Sequence, residues 1–112
     1  MPEPMVAVVA RVSTPGLPAF QLRKGEEGLS VFDPTAVDPP LTEEEILDAF
    51  RPGSAVVYRS ATEIALLGLE IVPTEGADTL SDRLRLAHRE IRAAATMTRS
   101  SYKTAIKELE SS

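Results

Sequence analysis

Cysteine and tryptophan are absent from this chain of 112 residues, and histidine occurs once. Without cysteine the protein can have no disulfide framework, thiolate zinc site, iron–sulfur cluster or cysteine nucleophile. An aromatic content of 4% argues against a stacking platform for single-stranded nucleic acid. Few residue types therefore remain from which an active site could be built.

Long apolar runs and targeting signals are missing as well. No apolar segment approaches the ~20 residues that are needed to cross a bilayer. The first four residues, which include two prolines and a glutamate, lack the basic and apolar regions of a signal peptide. We therefore expect a cytoplasmic protein that does not enter the membrane.

Charge and proline divide the chain near residue 78. Residues 1–78 hold all nine prolines and have 13 acidic and 5 basic residues, a net charge of −8. Residues 79–112 have 4 acidic and 7 basic residues, a net charge of +3. Because proline interrupts helices, we expect a domain of short elements over 1–78 and one C-terminal amphipathic helix over 79–112.

The first part has the patterns of short strands and short helices. Its valine-rich or alternating segments predict strands: 5–12, 20–23, 29–32, 54–58 and 69–72. Two capping boxes, Thr42 with Glu45 and Ser60 with Glu63, predict the starts of two short helices. We therefore predict an α+β fold with a mostly antiparallel sheet of four or five strands.

The last part has apolar residues at spacings of three and four, which is typical of an amphipathic helix. An unbroken helix over 79–110 would be about 48 Å long, whereas a domain of this size is only about 35 Å across. Three solutions stay open. The helix breaks near 98–101, it projects and pairs with something, or its last turns are disordered when alone.

A basic stripe runs along this predicted helix beside its apolar stripe. The apolar stripe needs a cover, which could be the sheet, a second copy or another protein. Nucleic acid is a weaker alternative because the stripe lacks base-reading residues. His88 has no carboxylate one helical turn away, so we expect a surface or interface histidine. The predicted partner-binding residues are Leu84, Arg85, Arg89, Ile91, Arg92, Arg99, Tyr102, Lys103 and Ile106.

Arginine and serine on predicted strands offer a second hypothesis, catalysis on a nucleotide or RNA. The weak catalytic candidates are Arg11, Arg23 and Ser30. They resemble the set used by small toxins of the ADP-ribosyltransferase type, which consume NAD with an arginine on one strand, a serine on another and a later glutamate. Glu63 or Glu70 would supply the glutamate. A nuclease is the other form that this enzyme hypothesis can take.

The segment 22–32, Leu-Arg-Lys-Gly-Glu-Glu-Gly-Leu-Ser-Val-Phe, resembles a pattern in small uncharacterised bacterial proteins. This resemblance implies a bacterial source and no particular activity. No glycine-rich phosphate loop, nucleophile elbow or zinc-binding helix motif occurs, so we expect no metal and no cofactor.

The leading hypothesis from the sequence is a non-enzymatic interaction module. It would be a regulatory or accessory subunit of a bacterial complex, docking on a protein partner or a second copy through residues 79–112. The toxin-like enzyme is the alternative.

Overall fold

In the part of the chain that the structure describes, five strands form one sheet in which every neighbouring pair is antiparallel. The computed structural model describes residues 8–21, 28–76 and 78–111. Across the sheet, the strands follow the order β3-β1-β2-β5-β4. This confirms the predicted α+β fold. The strands are β1 (Val8–Ser13), β2 (Gly28–Phe32), β3 (Ala55–Ser60), β4 (Leu69–Pro73) and β5 (His88–Ala93).

In the first part of the chain, two helices begin at the capping residues that the sequence predicted. Thr42 Oγ1 accepts a hydrogen bond from the Glu45 amide at 3.1 Å, and Ser60 Oγ accepts one from the Glu63 amide at 3.0 Å. Each bond satisfies an amide that has no partner within the first turn. The helices are α1 (Glu43–Leu47), α2 (Ala61–Leu66), α3 (Asp82–Ala87) and α4 (Arg99–Ser111), with a 3₁₀ turn at Pro34–Ala36.

Helices cover both faces of the sheet. On one face, α4 and α2 bury side chains against the strands. On the other face, α1 and α3 do the same. The first core cluster includes Val9, Leu29, Val31, Ile64, Ile91, Tyr102, Ile106 and Leu109. The second includes Ala10, Phe32, Leu41, Ile46, Leu84 and Ala87.

The prediction of one helix over 79–112 is wrong. That segment holds α3, β5 and α4, and β5 lies in the sheet between β2 and β4. Residues 88–93 also fit a strand, because His88 and Glu90 alternate with Arg89 and Ile91. The pairing of β5 with β2 on one edge and β4 on the other selects the strand over the helix. Residue 78 is therefore no domain boundary, since β5 shares one sheet with strands of the first part.

The predicted break near 98–101 coincides with the start of α4. Thr98 Oγ1 accepts a hydrogen bond from the Ser101 amide at 3.1 Å, and the Thr98 carbonyl accepts one from the Tyr102 amide at 2.9 Å. Thr98 therefore caps the helix, within the segment where the sequence predicted a break. The helix is 13 residues long, or about 20 Å, and fits across the sheet.

The first two strands part almost at once. In the described part of the chain, β1 and β2 are paired only where Ala10 lies opposite Phe32. By contrast, β1 is paired with β3 along its whole length, Val8–Ser13. A gap therefore opens between β1 and β2 beyond this one pair.

Among residues 8–21, 28–76 and 78–111, no helix has the length and apolar character that a membrane span requires.

Tyr102 fixes α4 to the sheet by a buried hydrogen bond. Its hydroxyl donates to the Ile91 carbonyl at 2.6 Å, and both residues are buried. We expect Tyr102→Phe to lower the free energy of unfolding by about 1–2 kcal/mol, because the buried carbonyl loses a donor. Urea unfolding measures this value. The exposed substitution Lys103→Ala on the same turn is the control, and equal effects of the two would contradict the assigned bond.

Arg83 of α3 binds Glu45 of α1 through two nitrogens, Nε at 2.7 Å and Nη2 at 3.1 Å. This hydrogen-bonded ion pair lowers the pKa of Glu45 below its ordinary value of 4.5. A group whose pKa is lower in the folded state stabilises the fold above its ordinary pKa. That contribution is lost as the pH falls through the folded-state pKa.

We therefore expect Glu45→Gln to reduce the melting temperature at about pH 7, with the difference from the wild type shrinking as the pH falls below the ordinary pKa of 4.5. Thermal unfolding followed by circular dichroism over this range checks the expectation. Glu44→Gln in the same helical turn controls for the helix dipole. A difference that persists unchanged at low pH would contradict the role of the charged pair.

Candidate functional site

A cleft of about 540 Å³ opens where β1 and β2 part. Arg11 and Val12 of β1, Ser30 and Phe32 of β2, and Glu90 of β5 all line it. Loop residues complete its walls: Thr14, Leu17, Pro18, Gln21, Ala49, Phe50, Glu75, Thr79 and Leu80, together with His88. The central strands and the surrounding loops thus both contribute polar side chains to the cleft.

Arg11 spans the gap between the two parted strands. Its Nη1 donates to the Ser30 carbonyl at 2.7 Å, and its Nε donates to the Ala19 carbonyl at 2.8 Å. Both bonds restrain the guanidinium, so its position at the cleft is set by backbone on two sides. A planar guanidinium held in this way is suited to binding a phosphate or carboxylate group.

Ser30 and Glu90 face the cleft from adjacent strands. They lie directly opposite each other in the β2–β5 register. Arg92, two residues further along β5, holds the Glu90 carboxylate with Nε at 2.8 Å and Nη2 at 2.6 Å. Antiparallel neighbours of this kind bring their side chains to the same side of the sheet. Ser30 and Glu90 therefore reach the cleft from the same side of the sheet, and the Glu90 carboxylate lies toward Gly28 and Arg92.

Gly28 leaves the space that the Glu90 carboxylate occupies. A Cβ at this position would lie 2.5 Å from Glu90 Oε1 and 3.0 Å from its carboxyl carbon. No side chain can be added here without moving the carboxylate. The glycine that begins β2 is thus part of how Glu90 is positioned.

Aromatic side chains form one wall of the cleft. The Phe32 ring makes an edge contact with Phe50 at 6.2 Å and with His88 at 5.7 Å between centroids. His88 is 7% exposed, and its Nδ1 is hydrogen-bonded to Thr74 Oγ1 at 2.7 Å. The expectation of a surface or interface histidine is therefore wrong, because β5 carries the ring into the sheet interior.

Two of the three catalytic candidates meet at the cleft. Arg11 and Ser30 line it together, while Arg23 lies outside the described residues. The proposed glutamates do not line it, since Glu63 belongs to α2 and Glu70 to the edge strand β4. Glu90 was missed because its segment was predicted as helix. The alternation of His88, Glu90 and Arg92 with Arg89, Ile91 and Ala93 is the signal that could have found it.

The predicted partner-binding residues are divided between core and surface. Leu84, Ile91, Tyr102 and Ile106 are at most 2% exposed, and they belong to clusters on opposite faces of the sheet. They do not form one exposed stripe. The basic members of the set lie at the surface or pair locally: Arg85 with Asp82, Arg89 with the Leu86 and His88 carbonyls, Arg92 with Glu90, Arg99 over the Tyr102 ring, and Lys103 exposed.

Comparison with known proteins yields no relative. No protein-family model matches the chain, and neither the curated proteins nor the solved structures contain a significant match. Over the described residues, no group of three or more histidine, aspartate or glutamate side chains is placed to hold a metal ion. The function must therefore be argued from the cleft.

The closeness of Gly28 and Glu90 can be tested by a double-mutant cycle. We expect Gly28→Ala to destabilise the wild type more than it destabilises the Glu90→Ala protein, because truncation removes the two closest contacts, those of the carboxyl group, and leaves only the Cβ at 3.2 Å. A coupling of about 1–2 kcal/mol is expected. Urea unfolding of the four proteins measures the coupling, and strictly additive changes would contradict the assigned contact.

Proposed function

We propose that the protein is an enzyme that binds a nicotinamide dinucleotide in the cleft and breaks its N-glycosidic bond, as ADP-ribosyltransferase-type toxins do. One observation carries the proposal. Arg11, Ser30 and Glu90 lie on the adjacent strands β1, β2 and β5 and line the same cleft. The arginine, serine and later glutamate of the sequence hypothesis thus come together, with Glu90 in place of Glu63 or Glu70.

The three side chains suit the separate demands of this reaction. The Arg11 guanidinium can bind the pyrophosphate through paired hydrogen bonds. When the bond between ribose C1′ and the nicotinamide nitrogen breaks, its electron pair leaves with nicotinamide and positive charge develops at the ribose. A carboxylate such as that of Glu90 stabilises this charge. A water molecule then forms the new bond to C1′ and releases its proton to solvent, which gives ADP-ribose and nicotinamide.

The remaining lining fits the rest of the ligand. Phe32 and Phe50 supply an apolar aromatic wall, against which a flat, positively charged pyridinium ring can pack. The Ser30 side chain is exposed at the cleft, where its hydroxyl can donate to or accept from a ribose hydroxyl. A nicotinamide dinucleotide contains one pyrophosphate group, which matches the one arginine among the described lining residues.

A nuclease is less well supported. Over residues 8–21, 28–76 and 78–111, the charged side chains that line the cleft are Arg11, Glu75 and Glu90. Among these described residues one cation stands beside two carboxylates, whereas proteins bind a polyanionic RNA backbone with several lysines and arginines.

The docking hypothesis loses the surface on which it depended. Four of its apolar residues are enclosed in the two core clusters, so a partner would meet the basic residues of the set and the exposed Leu86 of α3 without a continuous apolar stripe. The proposed function therefore rests on the cleft.

The proposal is tested by incubating the purified protein with NAD⁺ and measuring released nicotinamide by chromatography, with ADP-ribose affinity measured by calorimetry. We expect Arg11→Ala to weaken ADP-ribose binding at least about tenfold. We expect Glu90→Gln to retain binding while slowing nicotinamide release by about 10²-fold or more, because the developing charge loses its carboxylate.

Glu63→Gln is the matched control, since this glutamate lies on α2 and does not line the cleft. It should leave both measurements at wild-type values. Absence of nicotinamide release together with absence of ADP-ribose binding at millimolar concentration would overturn the proposal.

A further inference from the structure

The peptide group between Ala19 and Phe20 is hydrogen-bonded to a charged side chain at its carbonyl and at its amide. Its carbonyl, that of Ala19, accepts the hydrogen bond from Arg11 Nε at 2.8 Å. Its amide, that of Phe20, donates to Glu110 Oε2 at 2.7 Å. One peptide unit therefore joins the cleft arginine to a carboxylate that is 99 residues away in the sequence.

Glu110 stands where a helix does not favour an acidic residue. It lies in the last turn of α4, where the helix dipole disfavours negative charge. No basic residue occupies that turn to offset it. The hydrogen bond from the Phe20 amide compensates the carboxylate in its place, so its position points to a role outside the helix.

Arg59 braces the same contact from β3. Its Nε donates to the Leu109 carbonyl at 2.8 Å, and its guanidinium lies 5.0 Å from the centre of the Phe20 ring. The end of α4 and the segment around Phe20 are thus held together at two points. Leu17, Pro18 and Gln21 of this segment also line the cleft.

We infer that Glu110 is a positioning residue for the cleft, acting on Arg11 through the Ala19–Phe20 peptide. A carboxylate that accepts from the amide polarises the peptide group and makes its carbonyl a stronger acceptor, as hydrogen bonds in a chain do. The stronger carbonyl holds Arg11 Nε and leaves the guanidinium aimed at the ligand. Glu110 does not line the cleft, so it acts through Arg11 and does not touch substrate.

This inference rests on the proposed function for its effect on the ligand, but its structural part can be measured without one. The Nε–H signal of Arg11 in ¹⁵N NMR, assigned by its loss in Arg11→Lys, reports the bond to Ala19. We expect Glu110→Ala to shift this signal and to speed its exchange with water. Glu110→Gln keeps an acceptor oxygen without the charge and should change both by less.

For the ligand, we expect Glu110→Ala to weaken ADP-ribose binding and to raise KM for NAD⁺ by about tenfold, the equivalent of one lost hydrogen bond to a charged group. The value of kcat should stay within about twofold, because Arg11 binds ground state and transition state alike. Glu110→Gln should partly restore KM. Glu108→Gln, two residues earlier on α4, should leave KM and the Arg11 signal unchanged.

Two results would overturn the inference: an Arg11 signal that is unaffected in Glu110→Ala, or an equal response to Glu108→Gln. A general loss of structure is excluded when the circular dichroism spectrum of Glu110→Gln matches the wild type while its Arg11 signal moves. If the wild-type protein neither binds ADP-ribose nor releases nicotinamide, the proposed function fails, whereas the NMR arm still decides whether Glu110 positions Arg11.

Discussion

The insertion of β5 between β2 and β4 is the constraint on which the rest of the structure depends. It pairs with β2 on one edge and with β4 on the other, and so joins β4 to the rest of the sheet. In the described part of the chain, β2 is paired with β1 at one residue pair. It also carries Ile91 into the core and Glu90 to the cleft. One strand thus supplies both the core packing of Ile91 and the carboxylate of Glu90 that lines the cleft.

The cleft exists because, in the described part of the chain, β1 and β2 are not paired beyond Ala10 and Phe32. An evenly paired β1 and β2 would place backbone where the Arg11 side chain now crosses from one strand to the carbonyl of the other. The helices compensate for the missing pairs by covering both faces of the sheet. The segment around Phe20, tied to α4 by Glu110, closes one side of the gap.

Local signals in the sequence predicted what is locally determined. The caps at Thr42 and Ser60 concern bonds within one helical turn, and both were found correctly. The region 88–93 could not be assigned in this way, because its apolar spacing suits a helix and a strand equally well. Only pairing with β2 and β4, which lie far away in the sequence, selects the strand. The same error concealed Glu90, whereas Arg11 and Ser30 lie on strands with clear patterns and were identified.

The position of β5 in the sequence also determines when during folding the sheet can be completed. The chain must be synthesised as far as residue 93 before the strand that completes the sheet is available, and contacts between distant segments form slowly. Until then β2 has an open edge and the carboxylate of Glu90 is far from Ser30. An incomplete or partly unfolded chain therefore lacks the assembled cleft altogether, and any chemistry there belongs to the finished fold alone.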